Sequence, residues 1–239
     1  DMDNDGKRDL FVANGIYQDI TDLDYLNFID DRETKLKIIS NEGVDYKALT
    51  DPIPITPVPN YAFRNKGDLQ FENMANEWGI GTPIHSNGTA YGDLNNDGSL
   101  DIVVNNINES AQLFINQSGV LFPENHWVQI TLKGEGENTS GIGAQIKVFT
   151  DLDTLYAEQM PNRGFQSSVD PRISFGLGNI SKIFKIEILW PNDQLSLIEN
   201  PSLDSSLVVE QIAGELVTDG GTFFNKKGNA FFTFSGKSK

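Results

Sequence analysis

Cysteine is absent from this sequence of 239 residues, so neither disulfides nor thiolate metal sites can form. No run approaches the roughly 18 apolar residues that a membrane-spanning helix needs. Basic residues are few, since 18 Lys and Arg stand against 34 Asp and Glu, giving a formal net charge of -16. That charge repels phosphate backbones and anionic bilayers and attracts cations. We therefore expect no nucleic-acid partner and no membrane insertion.

The remaining composition is that of a folded chain. Hydrophobic residues make up 38% of the sequence and 15 residues are Phe, which is typical of globular proteins and not of acidic disordered ones. A length of 239 residues suggests one large or two modest domains, and we take two as the expectation. The sequence begins inside a motif and without a charged and apolar leader, so we expect a fragment of a longer protein.

The pattern D-x-[DN]-x-D-G-x-x-D occurs twice, at 1–9 (the first loop) and at 93–101 (the second loop), and an apolar segment typical of a β-strand follows each copy. Calcium takes six to eight oxygen ligands, which closely spaced carboxylates and carbonyls on a loop can supply. The predicted ligands are Asp1, Asp3, Asp5, Lys7 through its carbonyl, and Asp9 in the first loop, and Asp93, Asn95, Asp97, Ser99 and Asp101 in the second. Both loops are thus candidate Ca²⁺ sites of modest affinity and with a structural role.

These loops do not fit the EF-hand pattern. An EF-hand needs a glutamate at loop position twelve, where this sequence has Val12 and Val104 within apolar strands. Asp, Asn and Gly also cluster in ordinary solvated turns, and that alternative stays open. The first loop starts at the chain terminus beside a free ammonium, so the second is the more complete predicted site.

The spacing of the two loops indicates an interrupted repeat. A segment at 15–60 carries one predicted short helix between 21 and 32 and then four prolines, which is typical of an insertion. Without it, the distance between the loops is typical of a propeller blade of about 40 to 50 residues. We predict a repeat region at 1–121, a second β domain at 122–213, and an apolar tail at 214–239 that forms a hairpin or starts a further repeat. Alternating apolar and polar residues predict strands of the second domain at 128–132, 145–149 and 185–189.

Two family resemblances rest on these motifs. The acidic loops, the unit Phe63–Phe71 and Ala90–Gly92 resemble the FG-GAP/VCBS repeats of integrin-type β-propellers. The later region is similar to the ASPIC/UnbV domain, through Gly-Ile-Gly-Ala at 141–144, Arg-Gly-Phe-Gln-Ser-Ser at 163–168, Phe-Gly-Leu-Gly at 175–178 and Leu-Trp-Pro at 189–191. The resemblance implies an all-β chain, in which incomplete propeller-type blades with a helical and Pro-rich insertion precede a β-sandwich-like ASPIC/UnbV domain.

The same resemblance implies a non-enzymatic extracellular module for adhesion, protein binding or glycan binding, secreted or exposed on the outer membrane of a Gram-negative bacterium. It brings no catalytic residues. Two alternatives remain open: a fragment of a carbohydrate-active enzyme, with its site in the insertion or at the domain junction, and a purely structural spacer.

Several single residues are candidates for further sites. His85 and His126 stand in no known catalytic pattern. Arg163 and Phe165 could meet a ligand, although local pairing and burial are the favoured interpretation. The tryptophans Trp78, Trp127 and Trp190 could stack on sugars but are expected to be partly buried anchors.

Overall fold

A computed structural model describes residues 1–15, 17–40, 46–163 and 167–211. The chain divides into two compact units, Asp1–Asn125 and His126–Lys239, and most of its regular structure is β-strand. The sequence had predicted a boundary between residues 121 and 122. The predicted tail at 214–239 lies outside the described residues. Within the described ranges, no helix has the length and apolar character needed to cross a membrane.

The first unit contains two three-stranded antiparallel sheets, ordered β1-β3-β4 and β6-β7-β8, and a short pair of strands, β2 and β5. Each acidic loop leads into a strand of one sheet, as the sequence predicted. In the part of the chain that the structure describes, the sheets do not make a closed ring of blades. The described elements are β1 Leu10–Val12, α1 Leu23–Asp30, α2 Arg32–Ser40, α3 Tyr46–Thr50, β2 Val58–Pro59, β3 Tyr61–Gly67, β4 Gln70–Asn73, β5 Pro83–Ile84, β6 Ser86–Gly92, β7 Asp101–Asn106, β8 Gln112–Phe114 and α4 Ser118–Leu121.

The insertion is more helical than the sequence indicated, with three described helices where one was predicted. Asp22 caps α1 by accepting the backbone N–H groups of Asp24 and Tyr25. Neither α1 nor α3 buries a side chain, so the helical spacing of Leu23 and Leu26 marks α1 without giving it a core. The ends of the insertion are joined, because the N–H of Asn14 donates to Oδ1 of the buried Asn60 at 3.1 Å.

The apolar core of the first unit is small. Its buried members are Ala62, Ile80, Ile102 and Val104, one or two from each sheet and one from a connecting loop. Partly buried side chains complete it, namely Met2, Phe11, Trp78 and Phe114. A core of this size supplies little hydrophobic stabilisation, so polar contacts carry a larger share in this unit.

The second unit is built from two sheets. One is antiparallel with the order β11-β10-β13-β14, and the other has the order β12-β9-β15, in which β15 runs parallel to β9. The strands predicted at 128–132, 145–149 and 185–189 lie within β9, β10 and β13. The described strands are β9 His126–Lys133, β10 Gln145–Thr150, β11 Thr154–Glu158, β12 Ile173–Gly178, β13 Ile183–Leu189, β14 Leu195–Glu199 and β15 Ser205–Glu210.

Both sheets of the second unit contribute to one core, as in a β-sandwich. Alternate residues of the strands are buried in it: Val128, Ile130 and Leu132 come from β9, and Ile146 and Val148 from β10. Trp190 is the largest fully buried side chain of the described residues, and its indole N–H donates to Ser196 Oγ at 2.8 Å. Among the described residues, fifteen buried side chains form this cluster against four in the first unit, so the second unit has the stronger hydrophobic stabilisation.

Gly141, in the first resemblance motif, lies against this core with φ 61°. A Cβ at this position would lie 2.9 Å from Trp190 Cζ3 and 3.1 Å from two side-chain atoms of Leu132. We expect Gly141→Ala to lower the free energy of unfolding by about 2 to 4 kcal/mol, because overpacking adds to the strain of a positive φ.

Gly136 is the matched control for this change. Its φ is 64°, yet nothing lies within 4 Å of a Cβ placed there. Gly136→Ala should therefore lower the free energy of unfolding by only about 1 kcal/mol. Urea unfolding of both variants, followed by circular dichroism, measures the difference. Equal losses would show that contact with Trp190 does not constrain Gly141.

Candidate metal site

The two acidic loops adopt the same backbone conformation. At the fourth position, Asn4 and Asn96 have φ of 57° and 61°, and at the sixth, Gly6 and Gly98 have φ of 88° and 87°. Asparagine tolerates the left-handed region and glycine enters it without strain. The residue types at these two positions therefore explain why both loops curl in the same way.

The same hydrogen bonds hold each loop closed. The N–H of Gly6 donates to Asp1 Oδ2 at 3.0 Å, and the N–H of Gly98 donates to Asp93 Oδ2 at 2.9 Å. Two further hydrogen bonds recur in each loop. In the first loop, the N–H of Asp5 donates to Asp3 Oδ1 at 3.3 Å and the N–H of Lys7 donates to Asp5 Oδ1 at 2.9 Å. In the second loop, the N–H of Asp97 donates to Asn95 Oδ1 at 3.3 Å and the N–H of Ser99 donates to Asp97 Oδ1 at 2.8 Å.

The ninth residue of the first loop fastens the loop to its sheet. Asp9 Oδ2 accepts the N–H of Met2 at 2.6 Å, and Asp9 Oδ1 accepts the N–H of Asn65 on β3 at 2.9 Å. The side chain of Asp9 is fully buried. One carboxylate thus joins the start of the loop to a strand residue 56 positions later.

The second loop repeats this arrangement. Asp101, also fully buried, accepts the N–H of Leu94 through Oδ2 at 2.9 Å and the N–H of Asn116 through Oδ1 at 2.8 Å. Strand registers agree with the match, because β1 pairs with β3 as β7 pairs with β8. The two segments are structural copies.

Sequence reasoning missed the asparagine of each copy. Asn65 donates through Nδ2 to Arg8 O at 3.1 Å and accepts the N–H of Gly67 at 2.9 Å. Asn116 donates to Leu100 O at 3.1 Å and accepts the N–H of Ser118 at 2.9 Å. The signal that could have found them is the shared Phe-x-Asn, at 63–65 and 114–116.

The two loops also contact each other within the first unit. Asn4 Nδ2 donates to Gly98 O at 3.3 Å, and Asn116 Nδ2 donates to Met2 O at 2.7 Å. The side chain of Asn125 donates to Asp3 O at 2.8 Å. A change in either loop therefore reaches the other through direct hydrogen bonds.

The oxygens of the first loop fit a hard cation. Carboxylate oxygens of Asp1, Asp3 and Asp9 all lie within 4.8 Å of one another. Asp1 Oδ1 and Asp3 Oδ2 are buried and accept no hydrogen bond, which is unusual for buried oxygens and suits a metal ligand. In the described part of the second loop no three carboxylates lie this close, since its third residue is Asn95. The clustering of carboxylates thus marks the first loop, whereas the sequence indicated the second as the more complete site.

Positive charge already lies beside these oxygens. Arg64 Nε is 2.7 Å from Asp3 Oδ2, and Lys7 Nζ is 3.1 Å from Asp5 Oδ2. Burial raises the pKa of Asp3, and the carboxylate of Asp5 raises it further, while the guanidinium of Arg64 acts in the opposite direction. The amino group of Asp1 lies 3.9 Å from Asp9 Oδ2, and burial lowers its pKa.

The histidines lie outside the loops. His126 Nδ1 is 2.8 Å from Asp204 Oδ2, a partner that sequence alone could not reveal across 78 residues. Asp204 Oδ1 also accepts the N–H of Trp127 at 3.1 Å, so this carboxylate holds the start of β9. His85 is buried, its ring meets Tyr17 edge to face at 4.9 Å, and its Nδ1 lies 3.7 Å from Glu109.

The other predicted candidates have structural surroundings. Arg163 donates to the carbonyls of Met160 and Asn162. Phe165 lies outside the described residues. Trp190 is buried, and Trp78 and Trp127 are partly buried.

A cleft of about 330 Å³ lies in the first unit. Its lining is mainly apolar and includes Trp78, Ile102 and Phe114, with the carboxylates of Asp3 and Glu77 also present. Asp3 is already paired with Arg64. The cleft therefore offers no pair of uncommitted carboxylates, among the described residues that line it, of the kind that glycoside hydrolysis uses.

Comparison with known proteins adds a domain match and two partial relatives. Residues 134–216 match the family described as ASPIC and UnbV. Cartilage acidic protein 1 of Xenopus tropicalis is 41% identical over 58 residues, which are 24% of this chain and 9% of that protein. Cartilage acidic protein 1 of Homo sapiens is 39% identical over 61 residues, 25% of this chain and 9% of that protein. The chain thus spans about a tenth of the length of these curated relatives.

The matched asparagines generate a stability prediction. Asn116 makes one more side-chain hydrogen bond than Asn65, the bond to Met2 O, so Asn116→Ala should destabilise the chain more than Asn65→Ala. We expect the difference to be about 1 kcal/mol, the net value of one hydrogen bond. Urea unfolding of the two variants in chelator, without metal, checks it. A larger loss at Asn65 would contradict the role given to the bond between the loops.

Proposed function

We propose that this chain, which contains an ASPIC and UnbV domain at residues 134–216, is a calcium-stabilised, non-enzymatic extracellular module that binds a protein or a glycan. The observation that carries the calcium part is the cluster of Asp1, Asp3 and Asp9, in which two buried oxygens accept no hydrogen bond. An all-oxygen site of this kind suits calcium better than zinc or copper.

The calcium has a structural role in this proposal. Asp1, Asp3, Asp5, the carbonyl of Lys7 and Asp9 would hold one ion, and Asp93, Asn95, Asp97, Ser99 and Asp101 a second. A bound divalent cation would neutralise the clustered carboxylates and tie together the turns of each loop. Because the first unit has a small apolar core, this contribution would be a large part of its stability.

The repeated loop and strand support assigning the first unit to FG-GAP/VCBS repeats. Each copy has the acidic loop, a strand that follows it, and a Phe-x-Asn strand that returns to the ninth residue. We propose that the two sheets are blades of a propeller. Each has three of the four strands of a propeller blade among the described residues.

The extracellular assignment rests on two supports. The partial relatives are both named for cartilage. In addition, loops of this kind bind calcium with dissociation constants of about 0.1 to 1 mM, which only extracellular calcium saturates.

The calcium proposal is tested by thermal and urea unfolding with calcium at about 10 mM or with chelator. A dissociation constant between about 1 and 0.1 mM predicts stabilisation of about 1.4 to 2.7 kcal/mol per occupied site. Magnesium at the same concentration is the control and should stabilise less, since it keeps its own waters and needs stricter geometry. An unfolding curve that calcium does not shift would refute the proposal.

Two matched variants separate an ion effect from a general salt effect. Asp5→Asn and Asp97→Asn change equivalent positions, and each keeps an oxygen to accept the bonded N–H of Lys7 or Ser99. Each variant should reduce the calcium-dependent increase in the free energy of unfolding. In chelator, its free energy of unfolding should stay within about 0.5 kcal/mol of that of the parent chain. Binding to glycan and protein arrays, in calcium and in chelator, then distinguishes a binding module from a spacer.

A further inference from the structure

We infer that Arg64 is a built-in counter-ion of the first loop, which weakens calcium binding there and leaves the second loop as the tighter site. This inference rests on the proposed calcium function. It concerns a residue outside the loop pattern, contributed by β3 55 residues after Asp9.

The contact of Arg64 with the loop is direct. Its Nε lies 2.7 Å from Asp3 Oδ2, and its terminal nitrogen lies 3.6 Å from Asp5 Oδ2. Asp3 is 2% exposed and Arg64 side-chain atoms are 31% exposed, so the pair is partly shielded from water and salt. The guanidinium also lies 6.0 Å from the ring of Phe122, which helps to hold it in place.

The ion pair lacks the directed geometry of a good hydrogen bond. Both Arg64 Nε and Asp3 Oδ2 are buried atoms with no hydrogen-bond partner, despite their short separation. Arg64 therefore supplies charge to Asp3 without satisfying the direction of its lone pairs. A calcium ion coordinated by Asp3 would have to compete with that charge.

The second loop has no basic residue at the equivalent place. Asn65 and Asn116 are matched by their hydrogen bonds, so Arg64 corresponds to Ile115. The two other basic residues of the first loop, Lys7 and Arg8, correspond to Ser99 and Leu100.

The charge balance of the two copies consequently differs. The side chains of the first copy comprise four carboxylates at the ligand positions and three basic groups, a net of one negative charge, which the amino group of Asp1, 3.9 Å from Asp9 Oδ2, reduces further. The second copy has three carboxylates at the ligand positions, because Asn95 replaces the fourth. The positions that match Lys7, Arg8 and Arg64 are uncharged there, so its net charge is three negative. Cation affinity rises with the net negative charge of the ligand set, so the external ion is expected to prefer the second loop although its carboxylates are fewer.

The test removes the counter-ion from the full 239-residue chain. Arg64→Met deletes the charge and keeps an apolar stem, and Lys66→Met is its matched control. Lys66 lies on the same strand and pairs with Glu72 at 3.0 Å. Both variants make the net charge more negative by one. Each is made alone and together with Asp97→Asn, which weakens the second loop so that the first can be measured.

Isothermal titration with calcium chloride at low ionic strength is the measurement. Arg64→Met should tighten calcium binding of the first loop about three- to tenfold, the value of one partly shielded ion pair, while Lys66→Met should change it less than about twofold. The reciprocal variant Ile115→Arg should weaken the second loop by a similar factor. Equal affinities for the Met variants, with calcium still bound, would overturn the inference and leave the calcium proposal standing.

If none of the chains binds calcium, both the inference about Arg64 and the calcium proposal are overturned. A readout that does not depend on titration heat comes from urea unfolding. In chelator, Arg64→Met should lower the unfolding midpoint below that of Lys66→Met, because the loop loses its counter-ion. Added calcium should narrow this gap. A gap that calcium leaves unchanged means that Arg64 contributes only packing, which also contradicts the inference.

Discussion

The carboxylate at the ninth position of each acidic loop is the contact on which the first unit depends. The side chains of Asp9 and Asp101 are fully buried, and each accepts one N–H from its own loop and one from a Phe-x-Asn strand. Charge-assisted bonds of this kind are about twice as strong as neutral ones. In the first copy the bond also spans the insertion, whose ends meet at Asn14 and Asn60. The helices between them can therefore remain outside the core without disturbing the sheet.

The two units rely on different forces. The second has a continuous apolar core between two sheets, with Trp190 as its largest fully buried side chain, and its stability follows from area removed from water. The first has four buried apolar residues in its described core and a network of carboxylates and amides. Because those carboxylates repel one another, the network is complete only when positive charge accompanies it. Polar and charged contacts therefore carry a larger share of the stability of the first unit.

Local patterns in the sequence predicted what depends on neighbouring residues. Gly6 and Gly98 marked the turns of the loops, and period-two alternation marked β9, β10 and β13. The sequence could not predict contacts made across long separations, such as Asn65 with Arg8 or His126 with Asp204. Arg64 was missed for the same reason, since only the fold brings β3 to the loop. The number of helices in the insertion was missed because exposed helices have no apolar stripe fixed by a core.

The pattern of acidic residues is, by itself, a weaker sign of metal than it first suggests. Many of its oxygens accept backbone N–H groups, so the loop needs these residues for its own folding, with or without an ion. The oxygens best suited to a cation are Asp1 Oδ1 and Asp3 Oδ2, which are buried and accept no hydrogen bond. Asp3 Oδ2 faces Arg64, so an external cation bound there would compete with a protein cation for the same place. Two copies with one scaffold can thus differ in metal affinity through a single residue outside the pattern.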